Sequence, residues 1–223
     1  MKYIILLSVF FFGGNQAQLK GAWEFKEGSV THTLVIIDDY FSVSSFDIAG
    51  KKFIQTNGGT AKPHGNKLEG KIEFNSADKS VVGNEISYTY AIAGSELKLT
   101  RDGKTETWKK TDDGTGPLAG NWKIIRRDGN DISNRGARKT IKLLSGKRFH
   151  WAAINTETGE FSGTGGGSYT FENGKYTEHI EFFSRDPQRV GASLSFDGKV
   201  EGKEWHHSGK SSAGNPVNEV WSR

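Results

Sequence analysis

The 223-residue chain is 34% hydrophobic and 12% aromatic, with 29 glycines, four prolines and no cysteine. That mix excludes a collagen, a coiled coil and a multispanning helical membrane protein, and it removes disulfides, thiolate metal sites, cysteine nucleophiles and a lipid-modified N-terminal cysteine. The net charge of +4 comes from 30 Lys+Arg and 26 Asp+Glu scattered along the chain, so no nucleic-acid partner is expected.

Met1-Lys2-Tyr3 supplies a positive charge, Ile4 to Phe12 is apolar apart from Ser8, and Gly13 to Gln18 is small and polar. These are the three parts of a secretory signal. The run is short of the roughly 20 apolar residues of a membrane-spanning helix. Residues 1–18 are therefore expected to be a signal peptide cut near Ala17 or Gln18. The mature protein is expected to be exported, periplasmic or secreted, with no lipobox cysteine and no integral membrane segment.

The rest of the chain is a tandem duplication. Phe53 to Ser76 aligns without gaps on Phe161 to Ser184 at an offset of 108, with nine of 24 positions identical, including Thr56, Gly58, Gly59, Ile72, Glu73, Phe74 and Ser76. The same offset carries Phe41 onto Phe149, Gly83 onto Gly191 and Glu96 onto Glu204. Both copies open on Leu-x-Gly-x-Trp, at Leu19 to Trp23 and Leu118 to Trp122. Both close on a tryptophan followed by basic residues, at Trp108-Lys109-Lys110 and Trp221-Ser222-Arg223. The expected units are 19–110 and 118–223, joined by the polar Gly/Pro linker 111–117. Within each, short alternating strands are separated by turn pairs such as Gly65-Asn66, Asp102-Gly103, Asn173-Gly174 and Asp197-Gly198. No sustained helical period interrupts them, so the fold class is all-β.

Gly-x-Trp at the start of a first strand, followed by a meander of about eight strands, resembles the lipocalin and calycin group. Phe149-His150-Trp151, Gly165-Gly166-Gly167, Ile180 to Ser184 and Trp205 to Gly209 are similar to secreted bacterial lipocalin-like proteins. The resemblance covers nearly the whole chain after the signal. It implies two tandem antiparallel up-and-down β-barrels and the binding of lipids or other small apolar molecules.

One copy helps to interpret the other, because alternate strand residues face opposite sides. Parity places Ile72/Ile180, Phe74/Phe182, Gly70/Glu178, Leu68/Tyr176, Leu97/Trp205, Leu99/His207 and Val43/Trp151 inward. It places Ser42/His150, Lys71/His179 and Lys98/His206 outward; a β-bulge would reverse the assignments beyond it. The first copy thus keeps ordinary core residues where the second has Trp151, Tyr176, Glu178, Trp205 and His207. A carboxylate and an imidazole inside a barrel are costly unless paired or wet, and aromatic walls suit an amphipathic ligand. The expected function is binding of a small, partly apolar ligand, lipid-like or glycan-like, in the C-terminal barrel. Asn155 and Tyr169, near strand ends, join the five as candidate contacts. Plain core packing for the aromatics, and a satisfied internal Glu178–His207 pair, account for the same residues without a ligand.

Three alternatives stand beside this. Glu178 and His207 could be the acid–base pair of a hydrolase or lyase. The barrels could serve as a structural adaptor for another envelope protein. His150, His179 and His206 could hold a transition metal, although parity and spacing separate them. Gly163 to Ser168 lacks the lysine and following helix of a phosphate loop, and no cofactor is expected.

Overall fold

The computed structural model describes residues 16–211 and 213–223; of the expected signal peptide, residues 1–15 lie outside them. A single helical turn, α1 (Gln16–Leu19), leads into the first barrel. That barrel comprises β1 (Gly21–Glu27), β2 (Val30–Ile37), β3 (Tyr40–Asp47), β4 (Lys52–His64), β5 (Lys67–Asn75), β6 (Glu85–Ala93), β7 (Glu96–Arg101) and β8 (Lys104–Asp112). Each strand pairs antiparallel with the next, and β8 returns to β1.

The second barrel begins with β9 (Gly120–Arg127) and a two-residue spur, β10 (Asn130–Asp131). It continues through β11 (Arg138–Leu144), β12 (Arg148–Asn155), β13 (Phe161–Glu172) and β14 (Lys175–Phe183). Its last strands are β15 (Ser193–Glu201), β16 (Glu204–Lys210) and β17 (Pro216–Ser222), which closes on β9. The chain is therefore all-β, with two closed eight-stranded antiparallel barrels. No helix among the described residues is long and apolar enough to cross a membrane. Strand β8 runs two residues into the segment expected as linker, because Asp112 still pairs with Ala22 across a bulge.

The identical residues of the two copies make the same bonds. Thr56 Oγ1 donates to the Val43 carbonyl and Thr164 Oγ1 to that of Trp151. The Thr56 and Thr164 amides donate to Ser76 and Ser184 at 2.8 and 2.9 Å. In the opening motif, the indoles of Trp23 and Trp122 donate to the carbonyls of Leu19 and Leu118 at 2.9 and 2.7 Å. The basic residue that closes each unit lies over the same indole, Lys110 over Trp23 and Arg223 over Trp122. The glycine pair has a steric cause. A Cβ on Gly59 or Gly167 would stand 1.9 or 2.0 Å from the carbonyl oxygen of Lys71 or His179.

That glycine pair marks a β-bulge that corrects one expectation. Gly58 faces Phe74 but Gly59 faces Ile72, and Gly166 faces Phe182 but Gly167 faces Ile180, so Glu73 and Glu181 are extra residues. Ile72 stays in the first core. Phe74 and Phe182, expected inward, are turned out of their barrels and buried between them.

The barrels pack outer face to outer face through a third apolar cluster, which includes Val35, Ile37, Tyr40, Phe74, Ile141, Leu143, Ala152 and Ile154. Phe46 stacks on Phe182 at 4.7 Å, and Phe74 lies 6.0 Å from the His150 ring. Matched positions such as Val35/Leu143, Phe46/Ile154 and Phe74/Phe182 thus serve both sides, as in an isologous dimer. His150 is buried here, its Nε2 2.8 Å from Thr164 Oγ1 and 3.3 Å from Thr56 Oγ1. At the margin Glu73 accepts from Tyr40 and pairs with Lys139, and Asp112 caps the Ser145 to Lys147 turn of the other barrel.

Two outcomes are expected. Gly167→Ala should cost about 3 kcal/mol in urea unfolding, because backbone must move, whereas Gly202→Ala, at φ +59° in open space, should cost about 1 kcal/mol. Burial lowers the His150 pKa to about 3, so the folded chain holds it neutral while the unfolded chain takes up a proton near 6.5. Its contribution is complete above pH 6.5 and is lost as pH falls toward 3, a span worth on the order of 5 kcal/mol. Thermal unfolding against pH should fall less steeply over that window in His150→Leu; equal slopes would contradict this.

Candidate functional site

The interior of the second barrel holds a cavity of about 440 Å³ that opens to solvent, against about 250 Å³ in the first. Its apolar walls include Phe149, Trp151, Ile180, Phe183, Leu194, Phe196 and Val217. Alternation on β11 builds the polar side: Ile141 and Leu143 point into the interface between barrels, so Lys142 points into the cavity.

Lys142 is 4% exposed, with its Nζ 2.9 Å from Glu178 Oε1 and within 4.9 to 5.3 Å of the ring centres of Trp221, Tyr176 and Trp205. The Tyr176 hydroxyl donates to the same carboxylate oxygen at 3.0 Å. Burial first, and the Glu178 carboxylate second, raise the Tyr176 pKa well above its usual value and keep it a donor.

Beside this pair lies a second one. His207 Nδ1 faces the Glu219 carboxylate at 3.4 Å, and its Nε2 is buried with no hydrogen-bond partner among the described residues. Ser211 Oγ, also on the cavity, has none either. Arg127 grips Glu219 at 2.9 and 3.1 Å and the Trp221 indole donates to it at 3.1 Å. Burial pushes the Glu219 pKa up, but His207, Lys142 and Arg127 outweigh it and hold it at about 2. Burial, opposed by Glu219 and helped by Lys142, lowers the His207 pKa, so the imidazole is neutral at pH 7. With its Nδ1–H turned to Glu219, the neutral imidazole leaves the Nε2 lone pair as an acceptor facing the cavity.

The expected contacts fall into three groups. Trp151, Glu178 and His207 line the cavity. Tyr169, Tyr176 and Trp205 belong to the packed core behind it, and Tyr169 donates to the Ser145 carbonyl at 2.7 Å. Asn155 is turn chemistry, accepting from the amides of Glu157 and Thr158.

The proposed acid–base pair does not form. Glu178 is taken by Lys142 and Tyr176, and His207 faces Glu219. The three metal candidates are apart: His150 lies between the barrels, His179 is exposed beside Ser193, and His206 sits between Glu201 and Glu204. Among the described residues no three His, Cys, Asp or Glu side chains are grouped to hold a metal.

Lys142, Arg127 and Glu219 were missed, though the duplication carried their signal. Extended back to Leu34, the offset of 108 meets Lys142, a cation introduced to match Glu178. Glu219-x-Trp221 repeats Glu106-x-Trp108, whose indole also donates to its carboxylate, at 3.2 Å. Because Lys142 and Glu178 are buried together, Lys142→Met alone should cost about 3–5 kcal/mol, and Lys142→Met with Glu178→Leu should recover most of that. Chemical denaturation checks it; a double variant no more stable than the single would refute the pairing.

No family model matches the chain, and no curated protein matches it. Among solved structures it is similar to a Helicobacter pylori beta clamp crystallised with carprofen, at 8% identity and a TM-score of 0.18, over 91% of this chain and 55% of that one. The chain thus spans about half the length of that protein.

Proposed function

We propose that the protein is an exported carrier that holds a small amphipathic ligand in its C-terminal barrel. The observation that carries this is the conjunction of a largely apolar-walled cavity of about 440 Å³ with two buried polar atoms, His207 Nε2 and Ser211 Oγ, that no hydrogen bond among the described residues satisfies. Ligand sites occupy roughly 300–1,000 Å³ and combine apolar walls with a few convergent polar groups. An adaptor barrel would instead be filled by its own side chains, as the smaller first barrel more nearly is. Aliphatic and aromatic walls, with the Lys142, Glu178, His207 and Glu219 cluster on one side, favour a chain-like body with a polar end over a glycan.

Titration of the protein with a series of medium-chain alcohols, followed by tryptophan fluorescence, tests this because Trp151 and Trp221 line the cavity. Saturable binding with an optimum chain length is expected. Leu194→Trp, which fills the cavity, should abolish it without changing the far-ultraviolet spectrum. Absence of binding across the series, or undiminished binding to the filled variant, would overturn the proposal. Native mass spectrometry of protein drawn from its own envelope should show the bound mass directly.

A further inference from the structure

The two barrels differ in one wall. The opening motifs are offset by 99 residues and the stretch from Phe41/Phe149 to Leu99/His207 by 108, so nine residues were inserted between Trp122 and Phe149. They fall where β1 and β2 are joined by a tight turn, Gly28-Ser29, in the first barrel. There, β1 pairs with β2 along its whole length, Gly21 to Glu27. In the second barrel β9 pairs with β11 only over Gly120 to Lys123, opposite Ile141 to Leu144. Beyond that the inserted segment takes over the edge of β9, through Asp131 against Arg126 and the Ile132 amide on the Ile125 carbonyl.

The strands part around a cleft of about 420 Å³. Its lining carries Lys123, Arg127, Arg135, Arg138 and Lys139 and no carboxylate. Lys139 and Arg127 are engaged by Glu73 and Glu219, whereas Lys123 reaches only the Ser133 carbonyl. Arg138 has a loose, exposed pairing with Glu160 at 3.6 Å, of little energetic weight. The cleft adjoins the barrel interior: Arg127, Thr140 and Ala153 line both.

We propose that this cleft is a headgroup site, and that the ligand is an amphiphile with a phosphate-like acidic head lying among Lys123, Arg135 and Arg138 while its apolar body enters the barrel past Thr140. The inference rests on the carrier function proposed above. A carboxylate is satisfied by one bidentate guanidinium, whereas several converging cations suit a head with three acceptor oxygens and up to two charges. The inserted segment supplies Arg135 and leads into β11 at Arg138, so the opening and one of its cations arise from the same nine-residue difference between copies.

The test titrates the full chain with dodecyl phosphate, dodecanol and inorganic phosphate, and repeats this on Arg135→Ser/Arg138→Ser. Both arginines are exposed, so the double variant should fold normally. Dodecyl phosphate is expected to bind about tenfold tighter than dodecanol, and this advantage should shrink with salt and vanish in the double variant, whose dodecanol affinity stays within about twofold. Inorganic phosphate should bind far more weakly than either. Equal affinity for dodecanol and dodecyl phosphate, or a preference that survives the double substitution, overturns the headgroup site and leaves the carrier function standing. Inorganic phosphate binding as tightly as dodecyl phosphate reassigns the cleft to the free ion and also overturns it. Failure of both amphiphiles removes the carrier function and this inference together.

Discussion

The β-bulge opposite each glycine pair is the constraint from which the arrangement of the barrels derives. One extra residue, Glu73 or Glu181, reverses the parity of the strand end beyond it. Ile72 and Ile180 still face inward, but Phe74 and Phe182 leave their barrels and become the aromatic seam against the neighbouring copy. The bulge can form only because Gly59 and Gly167 let a carbonyl approach closer than any Cβ permits. The interface in turn fixes the cavity. On β11, Ile141 and Leu143 are clamped between the barrels, and the residue between them, Lys142, is thereby directed inward.

The polar interior of the second barrel is organised around charge neutralisation in pairs. Lys142 meets Glu178, and Glu219 meets Arg127, so neither carboxylate is left alone in a desolvated site. The aromatic rings beside the ammonium group contribute a further, weaker attraction. What remains unmatched among the described residues is neutral: His207 Nε2 and the Ser211 hydroxyl. An unsatisfied neutral polar atom is tolerable at a few kcal/mol where an unpaired charge would not be, so these are the atoms a carrier can leave open for its cargo.

Much of the fold was legible because the chain contains its own comparison. The offset of 108 identified two units, their strands and most inward positions, including Trp151, Glu178 and His207. Parity failed at Phe74 and Phe182 because a bulge is a property of backbone pairing, and Glu-Phe after Ile reads as ordinary alternation. Tyr176 and Trp205 were read correctly as inward, yet facing the interior does not distinguish lining a cavity from packing behind it. Lys142 escaped because a lysine in a strand reads as a solvent-facing residue. Its long-range partner, 36 residues away, and the matching Leu34 of the first copy show otherwise.

The two copies have diverged in a way that separates packing from binding. Where the second has Lys142, Glu178 and His207, the first keeps Leu34, Gly70 and Leu99. Replacing a leucine by a buried ion pair gains little stability and often loses some, so folding alone does not favour the second set. Those substitutions sit at positions that face the larger cavity, and the inserted segment opens the wall beside the same strand, β11. The faces that join the barrels, by contrast, stay largely apolar in both copies, apart from positions such as Ser42/His150. The first barrel therefore fits the role of a structural abutment, and the second retains the freedom to be polar inside because part of its stability is supplied from outside, by the neighbour it packs against.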